Sequence, residues 1–444
     1  MYFCYKEEMA MSKFSRWRKK PVILFILLLF TSVLVYILIY AATKENVDTI
    51  RDNKKDINIK LDPEIAQILR DTPYLWRKFN LTENDTALHR VQAQQRWVKE
   101  LSKSKYLSEQ KKKVMWLEAH ASLFYWTEGR VQCPYAPKFE EKCELKKMSF
   151  LRRMLGPYFK FIGISGDALI SVRNWESYGT YKIPGNMVQI MQILEPPNIA
   201  KDANLGLNNA VLASYWRGSD IPTPYFLSIP NNSSEFKPPP SEAVAKLASK
   251  TKMVAAIVSN CDSSDRLEYI RELQKFVGVD VFGKCGTFSC PKSENDACLR
   301  KIEAEYKFFL SFENSRCEDY ITEKLFDNVL QWYIVPIVRG GRPSDYSSAA
   351  PTNSFIHVDS FPSPEKLASH LKFLDKNDDA YLKYFEYKGS SYISLEHFQD
   401  FFCRACAMLF YRDFVPNPVW SSPDIEWKDV NHCLLPDEAR WNNV

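Results

Sequence analysis

The chain has 444 residues, room for two or three domains, and an ordinary globular composition of 45% hydrophobic and 25% charged residues. Its net charge is only +5, and much of that sits in the first twenty residues, where Lys6, Lys13, Arg16, Arg18, Lys19 and Lys20 outweigh Glu7 and Glu8. The rest is near neutral, which leaves no footprint for nucleic acid.

Residues 1–20 read as a basic tail. Pro21 to Ala42 then runs without a charge and is dominated by Leu, Ile, Val and Phe. Twenty-two such residues span a bilayer core as one helix. The run is too long for an ordinary signal-peptide core, and the basic flank before it places the N-terminus in the cytosol. The expectation is a single-pass type II anchor over 21–42, with a cleaved signal as the alternative. Residues 43–112 are polar and read as a stem. Within it, Leu88, Val91, Trp97, Val98 and Leu101 have patchy helical spacing, which suits packing on the body, self-association as a homodimer, or a frayed helix.

Cys4 lies before the span and the other ten cysteines after it. An even number on the oxidising side of a membrane suggests disulfides whose pairing the spacing does not give. The triplets at Asn80, Asn84, Asn231 and Asn232 are glycosylation acceptors on the same side, the last two overlapping.

From residue 113 short apolar runs alternate with helical pieces. Val114–Leu117, Phe159–Ile164, Ala168–Val172, Met187–Leu194 and Val211–Trp216 read as strands. The fourth ends in Glu195-Pro196-Pro197-Asn198, the fifth in Arg217-Gly218-Ser219-Asp220. Residues 113–250 are therefore expected to be one Rossmann-like domain. Asn231–Ser241, with three successive prolines, is a breaker at its far end. A second domain over 251–400 opens with the strand Met253–Val258. A helix follows, with Asp265 and Glu268 at capping-box spacing, and then the strand Val279–Phe282. Phe308–Phe312 is a buried strand that ends in Glu313, Asn314, Ser315 and Arg316. Helical spacing over Asp319–Gln331 and an apolar strand over Tyr333–Val338 come next. Open α/β sheets bind ligands at such strand ends, and a helix start favours phosphate. Ser354–Val358 is read as a strand, and Ser363 caps a helix with Pro at its first turn. Residues 401–444 form an extension with Cys403-Arg404-Ala405-Cys406. That spacing suits zinc or a disulfide, but no second pair of ligands accompanies it, which favours the disulfide.

Phe312-Glu313-Asn314, Asp319–Lys324 and Val335–Val338 together resemble the signature of the α1,3-fucosyltransferases, glycosyltransferase family 10. Leu194–Asn198 is similar to the family's Leu-Glu-Ser-Pro element, with Pro196 in place of Ser. Ser214–Phe226 is similar to its Tyr-Arg-x-x-Ser-Asp-Ile element, with one residue, Trp216, changed between Tyr215 and Arg217. Val258–Asn260, Arg266, Val279–Gly283 and Phe355–Leu371 also match, while Ser347 stands where an acid is expected. The pattern around Cys285, Cys290 and Cys298 looks most like the core α1,3 type.

The resemblance implies a GT-B-like fold, two Rossmann-like domains with the active site in the cleft between them, in the Golgi lumen. It implies inverting transfer of L-fucose from GDP-fucose to the 3-hydroxyl of GlcNAc, here the core GlcNAc of an N-glycan on a glycoprotein. A peripheral, Lewis-type acceptor and a catalytically inactive glycan-binding homologue are the alternatives. Such a transfer needs a base on the acceptor side and positive charge at the diphosphate. Glu195 is the candidate base, or else a helix cap. Arg266 and Lys324 are candidates for the diphosphate, or else solvated helix charges. Glu313 and Glu323 are expected to hold sugar hydroxyls, although Glu323 also suits a neighbouring cation. Asn260, Asn314 and Tyr320 are expected in the same donor pocket, Tyr215 and Arg217 near the acceptor, and Cys403 and Cys406 in disulfides. No Asp-x-Asp occurs, so no metal or other cofactor is expected to be required, and stimulation by a divalent ion stays open.

Overall fold

Strands that are apolar on both faces pair in parallel and need cover on both sides. A computed structural model describes residues 86–118, 129–148, 165–173, 187–197, 199, 210–231, 240–261, 264–291, 295–395, 400–414 and 433–434. The tail, the expected anchor 21–42, Asn80, Asn84, Asn232, the strand expected at 159–164 and most of the proline-rich breaker lie outside the described residues. Among the described residues no helix is long and apolar enough to cross a membrane.

One sheet is built from β1 (Lys113–Glu118), β2 (Gly129–Arg130), β3 (Cys143–Lys147), β4 (Ala168–Arg173), β5 (Val188–Ile193), β6 (Ala210–Ser214) and β7 (Ile221–Pro222). Its order is β2-β3-β1-β4-β5-β6-β7, parallel except for β2 against β3. β8 (Leu227–Pro230) leaves this sheet and pairs antiparallel with a strand near the chain's far end, Ser391–Ser394. The second sheet holds β9 (Lys252–Ile257), β10 (Val279–Phe282), β11 (Tyr306–Phe312), β12 (Val335–Arg339) and β13 (Ile356–His357), all parallel in the order β10-β9-β11-β12-β13. The chain thus makes two α/β halves, as the alternation of apolar runs and helical pieces predicts.

Several boundaries differ from the pattern-based reading. β12 starts two residues later than expected, because the Tyr333 N–H is already used by the Glu303 carboxylate at 2.8 Å. β6 stops at Ser214, so Tyr215 and Trp216 sit in the turn beyond it. The strand expected at Ser354–Val358 shrinks to Ile356–His357, since Val358 begins a short 3₁₀ turn. Ser363 does cap the helix Pro364–Asp375, accepting from Lys366 N–H.

α1 (Ala87–Lys103) starts at Thr86, whose side chain accepts from His89 N–H. Its apolar stripe of Val91, Trp97, Val98 and Leu101 is buried. Trp97, Val98 and Leu101 join one core with strand residues of the first sheet and with α2 (Phe401–Phe414). The stripe that suited self-association is therefore used inside the body. Arg404 of α2 is fully buried, and its guanidinium donates to Asp400 at 2.9 Å, to the Gln94 side chain at 2.9 Å and to the Pro222 carbonyl at 2.8 Å. A buried guanidinium is tolerated only when paired and hydrogen-bonded in this way.

All ten cysteines beyond the expected anchor are paired. Cys403 and Cys406 bond not to each other but to Cys133 and Cys143. The geometric reason is helical: both lie on α2 and reach separate points of the first half. Cys261 pairs with Cys285, Cys290 with Cys298 and Cys317 with Cys433. A bridge stabilises mainly by shortening the unfolded chain, more so for a longer loop. Removing Cys143–Cys406, which spans 263 residues, is expected to cost more than removing Cys290–Cys298, which spans 8. Denaturant unfolding of the paired Cys→Ala variants should give about 2–4 kcal/mol for the long bridge. An equal or reversed ranking rejects this account.

Candidate active site

The C-terminal ends of β5 and β11 bring residues of both halves together. Glu195 lies two residues past β5, and Glu313 directly follows β11. The segment Asp319–Lys324 enters from the second half and places Tyr320 against the first. The Tyr320 hydroxyl donates to Glu195 Oε2 at 2.9 Å. Its ring packs 5.0 Å from that of Tyr215 and 6.4 Å from that of Tyr225, and the Tyr225 hydroxyl donates to the Leu194 carbonyl at 2.8 Å. Met191, Ile193, Leu212, Tyr215, Trp216, Cys317 and Tyr320 close an apolar seam beneath this contact.

Glu313 has no exposed side-chain surface. It accepts from the Thr322 N–H at 2.8 Å, from the Thr322 hydroxyl at 2.8 and 3.0 Å, and pairs with Lys324 Nζ at 3.1 Å. Glu313 was expected to face a sugar hydroxyl, but its oxygens are taken up in holding this turn. Gly340, at the end of β12, makes room: a Cβ there would sit 2.7 Å from Glu313 Cγ and 2.9 Å from the Tyr346 hydroxyl oxygen.

Thr322 caps the helical turn Glu323–Leu325, which widens into a π-helix over Phe326–Leu330. The helix predicted from Asp319 therefore begins four residues later. Asp319 instead takes φ = +57°, in the left-handed region. That conformation costs little for Asp and is rare for most other residues.

The cause lies in the charges around Asp319. Arg217, from the turn after β6, pairs with Asp319 at 3.2 Å and with Asp345 at 3.4 Å, and its N–H donates to Asp319 Oδ2 at 2.9 Å. Asp345 in turn accepts from Asp319 N–H at 3.0 Å and from Arg342 N–H at 2.8 Å, and Arg342 also holds Glu318 at 2.7 Å. Arg217, a weak candidate for the acceptor side, is thus committed to this network.

Arg266 is buried, with guanidinium N–H groups on the Phe312 carbonyl at 3.3 Å and the Asn260 carbonyl at 2.9 Å. Asn260 contributes its backbone, and its side chain is exposed. Asp265, read as part of a capping box, pairs with Arg339 at 2.6 Å. Asn314 is half-buried at the same strand end. Lys324 donates to Glu323 at 3.1 Å, and Glu323 stays half-exposed, free to turn its other oxygen outward.

Burial pushes the Glu195 carboxyl above the usual carboxylate range, with the Tyr320 hydrogen bond and Lys324 opposing and Glu323 and Glu313 adding to the rise. Burial also raises Glu313, against Lys324 and Thr322. Burial works to lower Lys324, but Glu313 and Glu323 outweigh it and the ammonium is held charged. Burial lowers Arg266, against Glu313 and Tyr320. The segment is a compact array of charges of both signs, facing a carboxylate supplied by the other half. Among the described residues no group of three or more His, Cys, Asp or Glu is placed to hold a metal ion. A groove of about 580 Å³ lies elsewhere on the seam, lined in part by Thr86, Ser228, Asn231, Asn353 and Tyr387, and includes neither Glu195 nor Lys324.

Thr322, Asp319, Asp345 and Tyr225 belong to this site and were not singled out by sequence. Thr322 had a signal: a hydroxyl residue directly before Glu-Lys is a cap pattern. Asp345 had none for this role, because Arg217 and Asp319, the partners that tie it to the site, are distant in sequence.

Asp319 is raised to about 7, by burial first and by the Asp345 carboxylate next, with Arg217 opposing. A carboxyl raised in the folded state contributes stability that is full below its ordinary pKa and is lost as pH rises through about 7. The melting temperature should therefore be higher near pH 5.5 than near pH 8. Asp319→Asn, which keeps the left-handed backbone accessible, should shrink that difference in a paired thermal melt. An unchanged difference removes Asp319 as its source.

Residues 247–417 match the sequence model of glycosyltransferase family 10 (fucosyltransferase), C-terminal part. The chain is 45% identical over 179 residues to glycoprotein 3-alpha-L-fucosyltransferase A of Drosophila melanogaster, covering 40% of this chain and 35% of that protein. It is 43% identical over 195 residues to alpha-(1,3)-fucosyltransferase 4 of Bos taurus, covering 44% of this chain and 48% of that protein. The matched part thus spans from about a third to a half of these relatives. A solved α1,3-fucosyltransferase aligns over 71% of this chain and 93% of its own, at 13% identity and a TM-score of 0.41. Arg266, Glu313 and Lys324 all lie in the part of the chain that matches the glycosyltransferase family 10 model.

Proposed function

We propose that this protein is an inverting, GDP-fucose-dependent α1,3-fucosyltransferase with a GT-B arrangement of its two halves. The observation that carries the reading is the meeting of Glu195 with the Tyr320–Lys324 segment across the seam. In this reading the acceptor 3-hydroxyl attacks C1 of the fucose and its proton passes to the Glu195 carboxylate. The C1–O bond breaks, and its electron pair leaves with GDP. Lys324, held charged by Glu313 and Glu323, and Arg266 receive the negative charge that develops on the diphosphate. GDP is already a good leaving group, so no acid is needed to protonate it. The exposed part of Glu323 is the carboxylate left to hold a donor hydroxyl.

Burial raises the Glu195 carboxyl, which makes its ionised form a better proton acceptor than a free carboxylate. A helix cap, the other reading of Glu195, has less support, since its Oε2 accepts from a tyrosine hydroxyl of the other half. The acceptor is read as GlcNAc on a glycoprotein N-glycan, supported by the name of the Drosophila melanogaster relative. The type II Golgi anchor over residues 21–42 rests on the uncharged apolar run there.

The test uses the full chain in detergent, GDP-fucose and a panel of defined N-glycans, with added fucose located by mass spectrometry. Fucose on the innermost GlcNAc is expected. Fucose on an antennal GlcNAc replaces the core acceptor with the peripheral one, and GDP binding without any transfer marks an inactive homologue. Glu195→Gln is expected to lower kcat by roughly 10²–10⁴-fold while GDP binding, measured by calorimetry, is unchanged. Full turnover in that variant removes Glu195 as the base.

A further inference from the structure

Tyr320 resembles a donor-pocket residue by sequence, yet its hydroxyl is spent elsewhere. It is 1% exposed and donates to Glu195 Oε2 at 2.9 Å. Tyr215 and Tyr225 wall in its ring from the first half, and its N–H is fixed on the Cys317 carbonyl at 3.1 Å. Cys317 is itself locked to Cys433. Asp319, the residue before it, is held by Arg217 and Asp345. Backbone, ring and hydroxyl are all constrained, which leaves the phenol one direction in which to point.

We propose that Tyr320 is the positioning residue for Glu195: it reaches across the seam, sets the orientation of the base and stabilises its ionised form before the acceptor arrives. The proposal rests on the reading of Glu195 as the base. Two consequences follow from the geometry. A carboxylate on a short loop after a strand has several rotamers, and a 2.9 Å bond from a rigid phenol selects one of them. A burial cost that favours the neutral acid is also offset by a hydrogen bond that only the acceptor form of the carboxylate takes up fully. The charged and titratable groups around Glu195 are Tyr215 and Tyr225 from its own half and Tyr320, Glu313, Glu323 and Lys324 from the other. Of these, Tyr320 and Lys324 are the ones that favour its ionised form. Lys324 is already engaged by Glu313 and Glu323. Tyr320 therefore also links the base to the segment carrying Lys324, so the two ends of the reaction are set by one turn.

The step itself is unchanged: the acceptor proton goes to Glu195, and Tyr320 keeps its own proton throughout. Burial holds that proton, since it drives the Tyr320 phenol well above its ordinary value, with Tyr225 and Glu195 adding to the rise.

The test is Tyr320→Phe in the full chain, with kcat and kcat/KM followed against pH. Loss of a hydrogen bond to a charged group is expected to lower kcat roughly 10- to 100-fold near neutral pH. The acid limb of kcat/KM is expected to move to higher pH, and KM for GDP-fucose to change little. In a Glu195→Gln background the same substitution is expected to add little further loss, because it acts through Glu195. A raised KM for GDP-fucose with an unmoved acid limb overturns the proposal and makes Tyr320 a donor contact, with the base reading intact. Independent, multiplying losses in the double variant also overturn it. Full activity of Glu195→Gln alone would instead sink the base reading. Should Tyr320→Phe fold poorly, 3-fluorotyrosine at position 320 leaves the ring in place and makes the phenol a stronger donor. The acid limb should then move to lower pH, and an unmoved limb rejects the role.

Discussion

Arg217 is the point on which the seam turns. It comes from the first half and sits between two carboxylates of the second, Asp319 and Asp345. Two largely buried carboxylates this close repel, and Arg217 between them opposes the proton that burial and Asp345 favour on Asp319. With Arg217 in place, the turn Asp319–Thr322 is drawn onto the first half in a backbone conformation that few residues adopt. Everything that follows in the chain, from Tyr320 to Lys324, inherits its position from that turn. The halves are also joined by the β8 pairing with Ser391–Ser394 and by α2, which returns to the first half through two disulfides. Those joints fix the halves as bodies, and Arg217 fixes the segment that carries the proposed chemistry.

The same region shows how carboxylates are given different tasks by their surroundings. Glu313 is wholly buried and bonded to Thr322 and Lys324, so it serves as an internal anchor. Glu323 pairs with the same lysine but is half-exposed, so one of its oxygens can meet a ligand. Glu195 is mostly buried and meets a neutral donor from the other half, which leaves its protonation balanced between burial and a hydrogen bond. Lys324 is the common counter-charge. One cation among three carboxylates keeps its own charge firmly and lowers the cost of theirs, which is what a site that must receive a diphosphate and hold a base requires.

Much of the architecture was legible in the sequence because buried parallel strands announce themselves as apolar runs. Val279–Phe282 matched to the residue, and Ala168–Arg173 and Val188–Ile193 to within one or two. The helix predicted from Asp319 failed for a physical reason. Helical spacing of Ile321, Leu325 and Val329 is real, but the ion network at Asp319 and the Thr322 cap decide where the helix starts. Spacing records which face is buried and not what holds the first turn. Cys403 and Cys406 were legible as disulfide cysteines but not their partners, 270 and 263 residues away. Arg217 and Glu313 were found as polar residues at strand ends, yet their use within the protein became visible only once their neighbours were placed.

The placement of Gly340 shows why strand-end polarity alone is an ambiguous signal. A residue with a side chain there would meet Glu313 and the Tyr346 hydroxyl oxygen within 3 Å. The missing Cβ lets Glu313 turn inward to Thr322, which pulls the 322–324 turn down onto the end of β11. Lys324 is then presented from a turn anchored at the sheet, although its own helix lasts only three residues before widening into the π-helix. An isolated helix of that length is far too short to form alone or to gather a useful dipole. What favours an anion here is therefore the lysine held against the sheet by a buried carboxylate. The precision of the site comes from β11 and β12, not from the helix that follows them.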